Sequence, residues 1–318
     1  MVERRIGIVA VLLCISVLLL PVRGLAASTT DAKEPIDPAK TCTLTLSYSY
    51  DGTAFADVAV KLYRVAEISA DFQYTLTSAF AASGLILNGV QTNGEWDVIR
   101  STLEAHILAY GVEPDLTVLT DQAGQACFDA LKTGLFLAVI GNVTQGELSC
   151  NFDSALVSLP GLGEDGRWQY QVAVAAKAEL LPPGGTEDEI QLKILKLWKD
   201  DDGRNTRPGS VEVEIFRDGV SSRTVVLSEE NHWSYSWTAK DDGASWMVVE
   251  RNVPDGYSVT VEKRGTSFLL TNTLEDPDGT KDPPKTGDTT NVWLYIVLMV
   301  LSGGGLIILG IVGKRRSK

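Results

Sequence analysis

The sequence is poor in the residues that most often build metal and redox sites. Its 318 residues include four cysteines, two histidines and three methionines. The cysteines form no Cys-x-x-Cys pair, and His106 and His232 lie far apart in the chain. Because a structural zinc ion needs about four thiolate or imidazole ligands, we predict neither a metal site nor a cofactor.

Motifs of common catalytic sites are missing as well. The sequence contains no nucleophile elbow and no glycine-rich phosphate loop. The acidic run 200–203 does not fit the EF-hand spacing, in which Trp198 would be the first ligand and Gly209 the twelfth. We predict a solvated turn there, and a protein that is not an enzyme.

Basic residues are scarce relative to acidic ones. The chain has 28 Lys and Arg against 41 Asp and Glu, a formal net charge of −13. Such a surface repels the phosphates of nucleic acid, so we predict no nucleic-acid partner.

The pairing of the cysteines remains open. Cys14 lies in a segment predicted below to be removed, which leaves Cys42, Cys127 and Cys150. One disulfide with one free thiol is compatible with an exported protein, and three buried thiols are the alternative.

The N-terminus has the parts of a secretory signal peptide. Two arginines follow the initial residues, an apolar run extends from Ile6 to Leu20, and small residues occupy Gly24 and Ala26. We predict a signal peptide over residues 1–26, with cleavage after Ala26 or, alternatively, Ala27. A retained anchor is the other reading, but the apolar run is short for one.

The C-terminus has the parts of a membrane anchor. At 1.5 Å per residue, the apolar run from Val292 to Val312 would span about 31 Å, enough to cross a bilayer. We predict a spacer over 276–291, a transmembrane helix over 292–313 and a basic cytoplasmic tail over 314–318.

These pieces, in this order, resemble the sortase sorting signal of Gram-positive surface proteins, whose usual pentapeptide is Leu-Pro-x-Thr-Gly. Pro284, Thr286 and Gly287 match it, Lys285 fills the variable position, and Pro283 stands at the leucine position. The resemblance implies that a sortase cleaves between Thr286 and Gly287. It then joins the Thr286 carbonyl to an amine of a peptidoglycan precursor or of another pilin subunit. The implied location is the cell wall.

Alternating apolar residues predict a β-sandwich over residues 186–275. Six segments place an apolar row on one face: Ile190–Trp198, Val211–Ile215, Trp233–Trp237, Trp246–Glu250, Tyr257–Val261 and Phe268–Asn272. Three of these rows also contain one polar residue each, namely Lys196, Glu250 and Asn272. We therefore predict that these three side chains point into the core.

A lysine, a glutamate and an asparagine buried together can react. Burial disfavours charge, so it favours a neutral amine, which is a nucleophile, and a protonated carboxyl group, which can polarise an amide. We predict that Lys196 attacks the Asn272 side chain, with Glu250 as the promoting acid, and that an isopeptide bond forms as ammonia leaves. Solvent-facing side chains or an ordinary salt bridge are the alternatives.

The same segment resembles the B-type repeat of collagen adhesins and pilins. The matching pieces are Lys196-Leu-Trp-Lys-Asp200, Asn231-His-Trp-Ser-Tyr235, the stretch Val248–Tyr257, and Thr271-Asn-Thr273. The resemblance implies a prealbumin-like sandwich with a self-formed Lys–Asn bond, and it gives these roles to Lys196, Asn272 and Glu250.

Residues 38–180 predict another β-sandwich, with one helical insertion. Strand-like runs surround a helix near Glu95–Tyr110, for which Asn93 is the predicted N-cap. The apolar positions of this helix are Trp96, Ile99, Leu103, Ile107 and Tyr110. The fold class predicted for the whole chain is therefore all-β, with two tandem prealbumin/Ig-like sandwich domains.

The first domain resembles the N-terminal, SpaA-type domain of Gram-positive pilins. Matching pieces include Val60–Val65, Thr120–Phe128, Gly134-Leu135, Leu156–Pro160 and Trp168–Val174. In shaft pilins the last strand leads to a lysine that accepts the next subunit, and here that position is Lys177.

The combined prediction is a wall-anchored structural surface protein, either a base or accessory pilin subunit or an adhesin stalk. The alternative is an adhesin module that is attached as a monomer and binds a host ligand or glycan. The expected partners are a sortase, the peptidoglycan precursor, other pilin subunits and a host surface ligand.

Overall fold

The computed structural model describes residues 34–181, 188–200 and 207–275. The predicted signal peptide, the spacer with the sortase motif Pro283–Gly287, the transmembrane segment and the basic tail lie outside these residues. Within the described ranges, no helix is both long and apolar enough to cross a membrane.

The first sandwich is built from fifteen strands between residues 42 and 180. They are β1 (Cys42–Ser47), β2 (Ser49–Tyr50), β3 (Thr53–Ala54), β4 (Ala59–Ile68), β5 (Tyr74–Leu76), β6 (Leu116–Leu119), β7 (Gln125–Leu131), β8 (Gly134–Val139), β9 (Val143–Gln145), β10 (Leu148–Phe152), β11 (Ala155–Leu159), β12 (Gly161–Leu162), β13 (Trp168–Gln169), β14 (Gln171–Ala175) and β15 (Ala178–Leu180). One sheet has the order β11-β8-β4-β5, with β6 also paired to β4. A second sheet has the order β14-β1-β7 and a third the order β15-β10-β9, and all three sheets contribute residues to one hydrophobic core.

Buried and half-buried side chains alternate along β1. Leu44 and Leu46 are fully buried, whereas Thr43 and Thr45 between them are half-buried. A turn at Asp51-Gly52 joins β2 to β3, and both residues have the positive φ that such a two-residue turn requires.

The predicted helix is α1 (Asn93–Tyr110), and it follows a short 3-10 turn, Ala81–Ser83. Its cap is Thr92 rather than Asn93, so that prediction was wrong. Thr92 Oγ1 accepts a hydrogen bond from the backbone N–H of Glu95 at 3.2 Å, and Glu95 Oε2 accepts one from the N–H of Thr92 at 2.8 Å. This reciprocal pair is a capping box, which satisfies two otherwise unpaired donors.

In the second sandwich, the described residues between 189 and 274 form seven strands. They are β16 (Glu189–Lys199), β17 (Ser210–Arg217), β18 (Val220–Ser228), β19 (Ser234–Lys240), β20 (Trp246–Arg251), β21 (Tyr257–Arg264) and β22 (Ser267–Leu274). One sheet has the order β19-β16-β22-β21 and the other β18-β17-β20. Trp233, predicted as the start of an inward row, lies in a turn before β19 with a φ of 54°, and its side chain still packs against the core.

Helix α1 packs on both sandwiches. Ile99 and Leu103 belong to the core of the first, whereas Ala105 shares a hydrophobic cluster with Met247 and Val249 of the second. Tyr110, predicted to be an apolar contact of this helix, is 64% exposed.

The two sets of strands confirm the predicted all-β, two-sandwich fold class. The exact domain boundaries stay predictions.

Candidate functional site

The strand order of the second sandwich brings together the three polar residues that the sequence placed in its core. Lys196 lies on β16 and Asn272 on β22, which run parallel as neighbours with Lys196 opposite Leu270. Glu250 lies on β20 in the other sheet and points across the core. The lysine and asparagine are two residues apart in register, so their side chains share a face of the sheet.

The glutamate contacts both of the other side chains. Lys196 Nζ lies 3.3 Å from Glu250 Oε2, and both side chains are 0% exposed. Asn272 Nδ2 donates a hydrogen bond to Glu250 Oε1 at 2.6 Å, and Asn272 is also 0% exposed. Glu250 therefore bridges the amine and the amide in a site closed to solvent.

Burial governs the ionisation of the pair. It lowers the pKa of Lys196 to about 8, against the opposing influence of the Glu250 charge. It likewise raises the pKa of Glu250, although the Lys196 ammonium opposes that change. Both changes favour the state in which lysine is a neutral amine and glutamate a carboxylic acid.

Two oxygen atoms of the site lack a hydrogen bond within the described part of the chain. Glu250 Oε2 is in ionic contact with Lys196 but without hydrogen-bond geometry, and Asn272 Oδ1 is buried without a donor. A buried unpaired oxygen is costly. A half-turn of the amide would let a protonated Glu250 donate to Oδ1, which would satisfy that oxygen and polarise the carbonyl.

Aromatic rings enclose the amine. Lys196 Nζ lies 4.3 Å from the centre of the Trp198 ring. Tyr257 and Trp233 meet the same ring edge-on, with centroid distances of 5.3 Å and 5.4 Å. This wall limits hydration of the ammonium form, which is the main cost that burial imposes on it.

Asp200, predicted to lie in a solvated turn, is buried instead, and Arg207 pairs with it. Their guanidinium–carboxylate contact joins Arg207 Nε to Asp200 Oδ2 at 2.5 Å. The sequence did contain a signal, because Asp200 continues the inward row of Lys196 and Trp198 by two more residues.

The remaining predicted residues lie elsewhere or outside the described ranges. Lys177 is 85% exposed between β14 and β15, with Nζ 3.7 Å from Asp153 Oδ2. The described residues do not include the predicted sorting motif Pro283, Pro284, Lys285, Thr286 and Gly287. No cluster of potential metal ligands occurs among the described residues.

All three described cysteines are free thiols. Cys42 and Cys150 are buried in the first core, and Cys127 is exposed. Neither alternative considered from the sequence is met, because no pair is bonded and one thiol faces solvent.

Comparison with known proteins gives matches to surface proteins. The chain is 28% identical over 102 residues to a collagen adhesin of Staphylococcus aureus, which covers 30% of this chain and 9% of that relative. Solved structures with some likeness include a single B repeat of the S. aureus collagen-binding surface protein (16% identity, TM-score 0.26, 74% of this chain and 100% of that one). Another is the full-length major pilin SpaD of Corynebacterium diphtheriae (11% identity, TM-score 0.27, 76% and 99%).

A family model matches the region that contains the site. It is the Cna protein B-type domain, and it aligns with residues 192–273. Lys196, Glu250 and Asn272 all fall within these limits, as does nearly all of the second sandwich. The segment that brings the three buried polar side chains together is thus the segment that matches a Cna protein B-type domain.

Proposed function

We propose that this chain is a structural protein of a bacterial surface, a pilin subunit or adhesin stalk, whose second sandwich cross-links itself. The observation that supports it best is the contact of Glu250 with both Lys196 and Asn272 in a solvent-free core. The match to a Cna protein B-type domain supports the same class of protein.

The proposed chemistry is a single acyl transfer. Neutral Lys196 Nζ attacks Cγ of Asn272 while the carboxylic acid of Glu250 hydrogen-bonds to Oδ1 and stabilises the developing oxyanion. The Cγ–Nδ2 bond then breaks, and Glu250 relays the proton lost by the amine to the departing nitrogen. One isopeptide bond forms and one ammonia leaves, so the protein is changed once and turns over no external substrate.

Intact-mass measurement of the folded chain tests this proposal. The expected mass is lower than the formula by one ammonia, and tandem fragmentation should recover Lys196 and Asn272 in one branched peptide. Lys196→Met, Asn272→Ala and Glu250→Gln should each restore the formula mass. Lys193→Met is the matched control, because Lys193 lies on the same strand but on its other face, and it should still lose ammonia. A wild-type chain at full formula mass would contradict the cross-link.

We further propose that the ends of the chain attach it to the cell wall through cleavage between Thr286 and Gly287. If subunits are also joined to one another, Lys177 is the proposed acceptor. Its side chain is 85% exposed and its Nζ lies 3.7 Å from Asp153 Oδ2, so an acyl-enzyme could reach the amine.

A host-binding adhesin is the second candidate. Phe72 is 39% exposed and stacks on Trp168, with ring centroids 5.3 Å apart. Aromatic faces of this kind suit sugar rings and apolar side chains. Glycan-array and host-matrix binding by the wild type, lost in Phe72→Ala with the fold retained, would favour this reading.

A further inference from the structure

We propose that Asp200 and Arg207 are positioning residues that set the charge balance at Lys196 and hence the pH range in which its amine reacts. This inference rests on the cross-link proposed above. It adds two residues that act through Lys196 and do not touch the reacting amide.

Asp200 and Arg207 form a two-point ion pair at the edge of the core. The Asp200 side chain is 1% exposed and that of Arg207 is 25% exposed. Besides the Nε–Oδ2 contact of 2.5 Å, Arg207 Nη2 pairs with Asp200 Oδ1. Tyr257 Oη donates a third hydrogen bond to Oδ2 at 3.1 Å. A buried carboxylate needs such partners, so the geometry holds both charges in fixed places.

The Trp198 ring connects this pair to the reactive lysine. Lys196 Nζ lies 4.3 Å from the ring centre and Arg207 Cζ lies 5.6 Å from it. The hydroxyl that bonds Asp200 belongs to Tyr257, whose ring also packs against Trp198. Lys196 and Arg207 thus lie against one indole, and Asp200 is held beside it through Arg207 and Tyr257. At this partly buried place, solvent screens the charges weakly.

Three charged groups act on the Lys196 amine, and they act in opposite directions. The carboxylates of Glu250 and Asp200 raise the pKa of Lys196, whereas the Arg207 guanidinium lowers it, and burial lowers it most. Because Lys196 and Glu250 are coupled, they titrate as a pair, and the reactive form is the pair holding one proton. The rate should therefore follow a bell-shaped pH profile that Arg207 moves toward lower pH and Asp200 toward higher pH.

Refolding kinetics of full-length variants test this assignment. The chain is recovered unfolded in urea, its unreacted formula mass is verified, and it is diluted into buffers across a pH series. Ammonia loss is then followed by intact mass. Arg207→Gln should move the bell to higher pH by at least about half a unit, which slows the reaction about threefold on the acid limb. Asp200→Asn should move it to lower pH by a similar amount.

Two further variants separate electrostatics from packing. Arg207→Lys keeps the charge and should keep the wild-type profile. Tyr257→Phe keeps the ring on Trp198 but removes the hydrogen bond to Asp200. It should shift the profile in the same direction as Asp200→Asn, by a smaller amount. Near-ultraviolet circular dichroism confirms that each refolded variant is native, and Asp200→Asn alone decides the question if Arg207→Gln does not fold.

Opposite shifts in Arg207→Gln and Asp200→Asn support the proposal. Equal slowing at every pH, with no shift of the bell, would overturn it and leave the pair a purely structural role. If the wild type itself lost no ammonia, the cross-link would fail instead, which is a different result from an unshifted profile.

Discussion

At the scale of single residues, the second sandwich owes its candidate chemistry to three polar side chains on apolar rows. The two-residue period of a strand was enough to predict that Lys196, Glu250 and Asn272 point inward, and all three are buried. Their mutual contacts depend on strand order, which the period does not contain. Asp200 was missed although it is in phase, because its acidic neighbours suggested a solvated turn.

A chain that cannot cross-link should show the cost of the buried lysine as a pH-dependent stability. Burial lowers the pKa of Lys196 in the folded chain from 10.5 to about 8, and Asn272→Ala should leave that burial in place. The folded state then binds fewer protons than the unfolded state between these values. The free energy of unfolding should therefore rise with pH from about 8 to about 10.5, by up to about 3 kcal/mol.

Urea unfolding over that pH range measures this effect. The double variant Asn272→Ala with Lys196→Met is the control, because it keeps every ionisable group except the Lys196 amine. The difference between the free energies of unfolding of the two variants should contain the whole pH-dependent rise. Parallel curves for the two proteins would show that Lys196 does not titrate across this interval.

At the scale of elements, α1 supports both sandwiches at once. Thr102 Oγ1 accepts a hydrogen bond from the backbone N–H of Val261 on β21 at 2.9 Å, and Arg251 donates to the carbonyl of Ala109 at 2.6 Å. The helix thereby contacts β21 and β20, which belong to different sheets of the second sandwich. The sequence predicted the helix from its own spacing, but its contact with a strand about 160 residues later in the chain is non-local and left no periodic signal.

Thr102→Val should loosen this helix contact. The change keeps the side-chain shape but leaves the buried backbone N–H of Val261 unpaired. This should lower the free energy of unfolding by about 1–3 kcal/mol. Hydrogen exchange should show faster exchange of the Val261 amide and of its neighbours on β21. Thr117→Val, at an exposed strand position, is the matched control and should leave β21 unchanged. Unaltered protection of Val261 in Thr102→Val would show that apolar packing alone holds the helix.

At the scale of the whole molecule, the proposed wall attachment depends on the two predicted ends of the chain. The all-β fold followed from short alternating segments, and the helix bounds came within two residues at the N-terminal end. The strand β18 was not predicted, since its exposed residues Val220 and Val226 interrupt the apolar alternation. Wall attachment still rests on the sequence alone.

Removal of the sorting threonine should release the protein from the wall. In native cells, Thr286→Ala should shift the chain from muramidase digests of the wall to the membrane and medium, while Thr290→Ala should not.

On denaturing gels, a wild-type high-mass ladder that disappears in Lys177→Arg would identify a pilin joined at that lysine. A single wall-bound band would identify the monomeric adhesin, and equal wall content in Thr286→Ala would contradict sorting at this site.

The parallel pairing of β16 with β22 has a mechanical consequence. The second sandwich begins with one of these strands and ends with the other, so a pull on its two ends loads them as neighbours in shear. With a covalent link between Lys196 and Asn272, tension would pass directly from strand to strand. The 75 residues from 197 to 271 would then carry none of it. Without the link, these residues could unfold under tension and extend the chain by about 250 Å. With the link, the length of this part of the protein would stay fixed under tension.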